Sequence, residues 1–345
     1  MRNIKDLRLE FRIPISPTPG FFSQIRLFDF ALRRLGPPYR DARLCVCVGD
    51  DCDLEAVRAA NAWSVGRVNW EAVPHAVFAE FGIHGTADWR LAREIGAADL
   101  VILSDADTVL LRDIDPLLAC VPLDRPAVRG HMAYLPPFSS GGDLPASDSH
   151  DYWPALFERF GVPWPRLLFD YSMDEDRRLP QVPAYFNLGF TVFSPAALAV
   201  FAPRIFDFQR TFKASVDSYM RCQIAISLIA YQQGVDIDVL PASYNASNYM
   251  EHQRRNYLST NDIRVLHYLS TREIERSLIF QDEHIDAFLT AELVNPVNRA
   301  LQALAKDYRR WRIERERKRW LGGTRNSWIL RRWRRSASAP SGAMC

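Results

Sequence analysis

Cysteine pairs with disulfide or metal spacing are missing from this chain of 345 residues: its six cysteines, at 45, 47, 52, 120, 222 and 345, form no C-x-x-C pair and no framework pattern. Cys45 and Cys47 lie in an apolar run and read as reduced core thiols, which sets aside a disulfide-stapled scaffold. Also missing is any stretch of about eighteen consecutive apolar residues, so no transmembrane helix is expected. Met1 to Arg8 lacks an uninterrupted apolar core of signal-peptide length, and the expectation is a cytoplasmic protein. No internal repeat is visible. Disorder is set aside by the composition, because 48% hydrophobic residues against 24% charged, over this length, can bury a large core. Charge is the one skewed quantity. The formal total is +2, but residues 306–335 hold thirteen Lys/Arg against Asp307, Glu314 and Glu316, which leaves the rest of the chain acidic.

The most informative segment is Leu100-Val101-Ile102-Leu103-Ser104-Asp105-Ala106-Asp107-Thr108, an apolar run ending in two carboxylates one residue apart. Side chains at i and i+2 of an extended chain point the same way, so Asp105 and Asp107 can converge on one divalent cation. A hard cation held by only one or two carboxylates keeps positions open for water and substrate phosphates. The pattern therefore points to a phosphate-bearing ligand. The competing reading is a strand-end turn carrying two solvated acids.

Along the chain, Leu7 to Ile15 alternates as a strand and ends at Pro14, Pro17, Pro19 and Gly20, after which Ile25, Phe28, Leu32 and Leu35 have helical spacing. Strands are expected over 43–48, 68–73, 127–131, 184–193, 236–240 and 264–267. Helices are expected over 54–63, 86–96, 113–119, 195–206 and 217–233. This alternation argues for an α/β sheet with its ligand at the carboxyl ends of the strands. Residues 132–150, rich in Pro, Gly and Ser, read as a long loop and a candidate lid.

Four patches in order, "LVILSDADTVLLRDIDPLL" (100–118), "YFNLGFTVFSP" (185–195), "DVLPASYNAS" (238–247) and "IRVLHYLS" (263–270), resemble the GT-A fold glycosyltransferases, in particular the glycogenin-like and bacterial galactosyltransferase-like family 8. The resemblance covers roughly residues 7–270. It implies a mixed α/β sheet flanked by helices, and a UDP-sugar donor whose diphosphate is held by Mn²⁺ (or Mg²⁺) on Asp105, Asp107 and His267. Two carboxylates and an imidazole suit a borderline cation such as Mn²⁺. It further implies that Asn187 and Gly189, within Phe186-Asn187-Leu188-Gly189, lie near the donor sugar. Leu188 stands where that family has a small residue.

The family's Asp-Gln pair beside the reactive face of the donor is matched here by Cys222-Gln223, so Gln223 is kept and the acid is not. Asp217, earlier on the same expected helix, is the substitute catalytic acid. By the same resemblance Ser16 and Phe21 or Phe22 meet the uridine, an aromatic stacking on the base. Arg90 occupies a basic position that reaches the diphosphate.

Residues 1–295 are thus expected to form the transferase domain and 296–345 a basic amphipathic tail. In that tail Leu301, Leu304, Tyr308 and Trp311 share a helical face among arginines, a pattern for an anionic membrane surface; no nucleic acid is expected. The resulting expectation is a peripheral, retaining hexosyltransferase acting on a polysaccharide or glycolipid acceptor. Two alternatives stay open: a haloacid-dehalogenase-like phosphohydrolase with Asp105 as nucleophile and Asp107 as general acid, and a non-catalytic adaptor of the same fold.

Overall fold

In chain order the strands and helices are β1 (Leu9–Ile15), α1 (Pro19–Arg33), β2 (Arg43–Val48), α2 (Leu54–Ala60), β3 (Val68–Ala72), α3 (His75–Phe81), α4 (Ile83–Ala92), β4 (Leu100–Ser104), β5 (Thr108–Leu110), α5 (Asp115–Cys120), β6 (Ala127–Met132), α6 (Tyr152–Arg159), β7 (Phe186–Phe193), α7 (Pro195–Phe201), α8 (Ile205–Ser215), α9 (Arg221–Gln232), β8 (Asp236–Val239), β9 (Ala246–Ser247), α10 (Met250–Arg255), β10 (Val265–His267) and α11 (Ile285–Thr290). A last helix, α12, covers 296–315. The computed structural model describes residues 3–49, 52–138, 144–215, 218 and 220–315.

Seven strands form one sheet in the order β3-β2-β1-β4-β7-β6-β8. β1 pairs in parallel with β2 and β4, whereas β7 runs antiparallel to β4 and β6. The chain winds outward from β1 to β3 and then returns to place β4 on the other side of β1. That reversal opens a crevice at the carboxyl ends of β1 and β4, where open α/β sheets bind ligands. A three-stranded sheet, β5-β10-β9, stands beside it.

Continuous apolar strands follow from helices covering both sheet faces. Along β4, Val101 and Leu103 enter one core with Phe186, Phe193 and Ile224, while Leu100 and Ile102 enter the other with Phe11, Ile13 and Phe28. Local signals fix the helix starts: Thr18 accepts from the Phe21 N–H with Pro19 next in line, and Ser194 caps α7 ahead of Pro195.

Several elements depart from the expectations. The helix expected over 195–206 is interrupted near Pro203, and α6 and most of α8 lie where no element was expected. Residues 133–138 and 144–151 carry no helix or strand, as expected of a loop.

The division at 295/296 is not a boundary between independent units. On α12, Leu301, Leu304, Ala305 and Tyr308 are buried in a third core with Leu27, Phe30, Leu266 and Phe288. Trp311 packs against Phe30 and Tyr308, and Arg312 pairs with Asp282. The apolar face that the sequence offered to a lipid surface is covered by protein, because an amphipathic helix does not encode which apolar partner it meets. The rest of the basic segment, from 316, lies outside the described residues. Among those described, no helix is long and apolar enough to cross a membrane.

Candidate active site

Asp105 and Asp107 lie in a tight turn between β4 and β5, not on an extended strand as the i, i+2 argument supposed. The Asp105 carbonyl accepts from the Thr108 N–H at 3.3 Å and from the Thr108 hydroxyl at 2.8 Å, and the Asp105 N–H donates to Gly189 O on β7 at 3.2 Å. The turn still brings the two carboxylates together, because β5 then pairs antiparallel with β10 and sets His267 opposite Thr108. His267 Nε2 is 3.1 Å from Asp107 Oδ1 and 3.9 Å from Asp105 Oδ2. One ligand atom from each of the three residues falls within 4.8 Å of the others.

Neighbours fix this cluster. His267 Nδ1 is 3.2 Å from Asn245 Oδ1, and the Asn245 amide nitrogen donates to Asn187 Oδ1 at 2.9 Å, so the amide network assigns the proton of His267 to Nδ1. Its Nε2 then faces two carboxylate oxygens, a gathering of electron-pair donors that either a second proton or a cation reconciles. Burial opposes ionisation of Asp107, but His267 and Arg276 outweigh it and hold its carboxyl below the ordinary range. Arg276 Nη1 lies 2.5 Å from Asp107 Oδ2, and its backbone carbonyl accepts from the Gln24 side chain of α1 at 2.8 Å.

Arg90 is buried beneath the turn, not out where a diphosphate would be. Its guanidinium donates to Ser104 O at 3.1 Å and to Asp105 Oδ1 at 3.2 Å. Its own carbonyl accepts from Arg12 Nη1 at 2.6 Å, and Arg12 is fully buried beside Glu10. A chain of contacts from β1 through α4 therefore orients Asp105.

Gly189 also serves a different purpose from the one expected. A Cβ at this position would overlap the His267 ring at Nδ1 and Cε1, so the missing side chain makes room for the imidazole. Asn187 Oδ1 accepts from the Gly189 N–H at 2.9 Å as well as from Asn245, which leaves its amide NH₂ for a ligand. Asn187 and Gln223 line one cavity of about 300 Å³ beside the cluster.

Ser16 follows β1 and Phe21 opens α1, at the same sheet end as Asp105. Both are half-buried; Phe21 and Phe22 pack on the second core, and Phe22 meets Trp70 edge-on. Cys222, where the acid of the Asp-Gln pair would stand, is buried, and burial pushes its thiol well above the usual range. Asp217 lies outside the described residues.

The sequence reading missed Arg276, Asn245 and Tyr134, whose hydroxyl is 3.4 Å from His267 Nδ1. Only Asn245 sat in a quoted patch. The other two reach the site through loop geometry that carries no local pattern.

No family model matches the chain, and no curated protein matches it. Among solved structures, the galactosyltransferase LgtC, in a complex with donor and acceptor sugar analogues, aligns with a TM-score of 0.51 at 12% identity over 86% of this chain and 95% of its own. The bifunctional glycosyltransferase WbbM aligns with a TM-score of 0.48 at 15% identity, over 78% of this chain and 47% of its own. Mouse xyloside xylosyltransferase 1 aligns with a TM-score of 0.48 at 12% identity, over 78% of this chain and 99% of its own. The alignment with LgtC shows the fold: the chain has the GT-A architecture.

Proposed function

We propose that this chain is a metal-dependent glycosyltransferase that moves a hexose from a UDP-sugar to a glycan or glycolipid acceptor. The observation that carries the reading is the convergence of Asp105, Asp107 and His267 at the carboxyl end of β4 in a GT-A fold. Two carboxylate oxygens and an imidazole whose Nδ1 is already hydrogen-bonded fit a borderline divalent cation such as Mn²⁺, and Mg²⁺ less well. When bound, such a cation supplies the positive charge that stabilises a departing diphosphate.

The chain's own residues supply the rest. Arg276, partly exposed and already on Asp107, can turn to a phosphate oxygen once a cation occupies the acids. Arg90 keeps Asp105 aimed, and Asn187 and Gln223 stand at the border between the donor sugar and the cavity beside the cluster. Ser16 and the Phe21 turn of α1 offer the uridine its place over β1. In the transfer, the bond from the anomeric carbon to the diphosphate oxygen breaks and its electron pair leaves with UDP. The acceptor oxygen bonds to that carbon, and its proton passes to the departing phosphate. Retention of configuration, which the resemblance to family 8 implies, is part of the proposal.

Against the phosphohydrolase alternative stand the GT-A architecture and the engagement of Asp107, its general acid, by His267 and Arg276. The adaptor alternative is separated by calorimetry of UDP with the purified full chain. Glycosyl transfer requires UDP binding that Mn²⁺ strengthens and that Asp107→Asn weakens at least tenfold; no UDP binding in either condition favours the adaptor. The segment from 316 onward keeps a part in the proposal as an anionic-membrane anchor, through its arginines and Trp320, Trp328 and Trp333.

A further inference from the structure

The cavity beside the cluster is unlike the rest of the site in one respect: among the described residues, none that lines it is charged. Its wall is built from Phe138, Met173, Tyr185, Met220 and Tyr249, and Asn187 and Gln223 are the only amide side chains among its described lining residues. At the mouth, Phe138 is 65% exposed and Leu135 is 42% exposed, so two large apolar side chains stand beside the opening.

The wall is held in place. The Ala133 N–H donates to Tyr185 O at 2.7 Å, Met173 N–H to Tyr134 O at 3.0 Å, and the Ser218 hydroxyl to Phe138 O at 2.7 Å. These bonds hold the backbone of residues 133–138 beside Tyr185, Met173 and Ser218. The cavity also abuts the cluster, since Tyr134 belongs to its lining and touches His267 Nδ1.

We propose that this cavity is the acceptor subsite and that it selects a neutral glycoside with an apolar ring face or aglycone, against acceptors carrying phosphate or carboxylate. The inference rests on the glycosyl-transfer reading above. A pyranose presents C–H groups on one face and hydroxyls at its edge. Its C–H face suits the aromatic and thioether wall, and its edge suits the amides of Asn187 and Gln223. An anion there would lose its hydration without meeting a counter-charge, and the donor's own diphosphate would repel it. At about 300 Å³ the cavity is at the small end of ligand sites, which run to roughly 1,000 Å³, so a terminal sugar enters and the remainder of the acceptor lies against Leu135 and Phe138.

The test uses the full chain with Mn²⁺. Donor hydrolysis is measured first across UDP-hexoses, and transfer then to nitrophenyl and octyl hexosides, hexose 6-phosphates and hexuronates. The expected result is a kcat/KM at least about tenfold higher for the neutral glycosides, with Phe138→Ala and Met173→Ala each raising the glycoside KM by about tenfold more than they change kcat. Met173→Lys, by adding a cation to the wall, should move the preference toward the phosphorylated sugars. Donor hydrolysis with equal transfer to neutral and charged acceptors would overturn the acceptor assignment alone. Failure to cleave any UDP-hexose would overturn the transferase reading and this inference with it.

Discussion

His267 Nε2 stands 3.1 Å from Asp107 Oδ1 although 160 positions separate them in the chain. Their proximity is produced by the antiparallel pairing of β5 with β10, and it is made possible by the empty space at Gly189. Gly189→Ala should therefore be more damaging than its size suggests. Overpacking of this kind costs about 1–3 kcal/mol, and the displaced imidazole should weaken Mn²⁺ binding by at least tenfold. Calorimetry with Mn²⁺, alongside thermal unfolding, reads both effects. A variant with wild-type metal affinity would mean that His267 is not a ligand.

Arg276 and a cation compete for Asp107. Arg276→Ala should leave Mn²⁺ binding by the free protein as tight as before or tighter, and should weaken UDP binding in the presence of Mn²⁺ by about tenfold or more. Parallel losses of metal and nucleotide affinity would contradict the exchange of partners.

Two buried histidines give the protein an acid limb. His131 Nδ1 donates to Leu240 O at 2.9 Å, and its Nε2 lies 3.2 Å from His252 Nε2, while His252 Nδ1 accepts from the Ser247 N–H. Both rings are therefore neutral, with His252 donating to His131. Burial lowers His131 to about 4 and His252 well below its ordinary value. The unfolded chain takes up protons below about pH 6.5 that the folded chain refuses. Stability is complete above that value and falls on acidification by up to about 1.4 kcal/mol per pH unit for each ring. The thermal midpoint measured from pH 7.5 to 5 should decline, and His131→Gln should decline less steeply. An identical slope in the variant would place the acid sensitivity elsewhere.

Truncation separates the packed part of the basic segment from the remainder. A chain ending at Asn295 loses Leu301, Leu304, Ala305 and Tyr308 from the third core, at about 2–5 kcal/mol for each large side chain, and should not fold. A chain ending at Arg315 should fold with a near-native thermal midpoint. On anionic vesicles the full chain should sediment and the Arg315 truncation should not, with the difference shrinking as salt rises from 0.1 M to 1 M and the Debye length contracts from about 10 Å to 3 Å. Equal sedimentation of the two chains would remove the membrane from the account.

What the sequence made legible was local. The apolar run into Asp105 and Asp107 announced a buried strand and its acidic end, and alternation of strand and helix patterns placed the first four large-sheet strands within a residue or two. His267 was reachable only through the ordered patches of the resemblance, since no spacing rule links residues so far apart. Arg90 shows the limit of such transfer: its position was anticipated, but its guanidinium is taken up by Ala87 O, Ser104 O and the Asp105 carboxylate. The C-terminal helix shows another limit. Its apolar stripe was read correctly and assigned to lipid, whereas Phe30 and Leu266 cover it.

The central claim, metal-dependent cleavage of a UDP-sugar at Asp105, Asp107 and His267, is tested most directly by UDP release from UDP-hexoses with Mn²⁺, with chelator, and in Asp107→Asn. The account predicts release with Mn²⁺ that falls by at least about a hundredfold on chelation and in the variant. Release that persists undiminished in Asp107→Asn, or no release from any UDP-hexose with Mn²⁺ present, would contradict it.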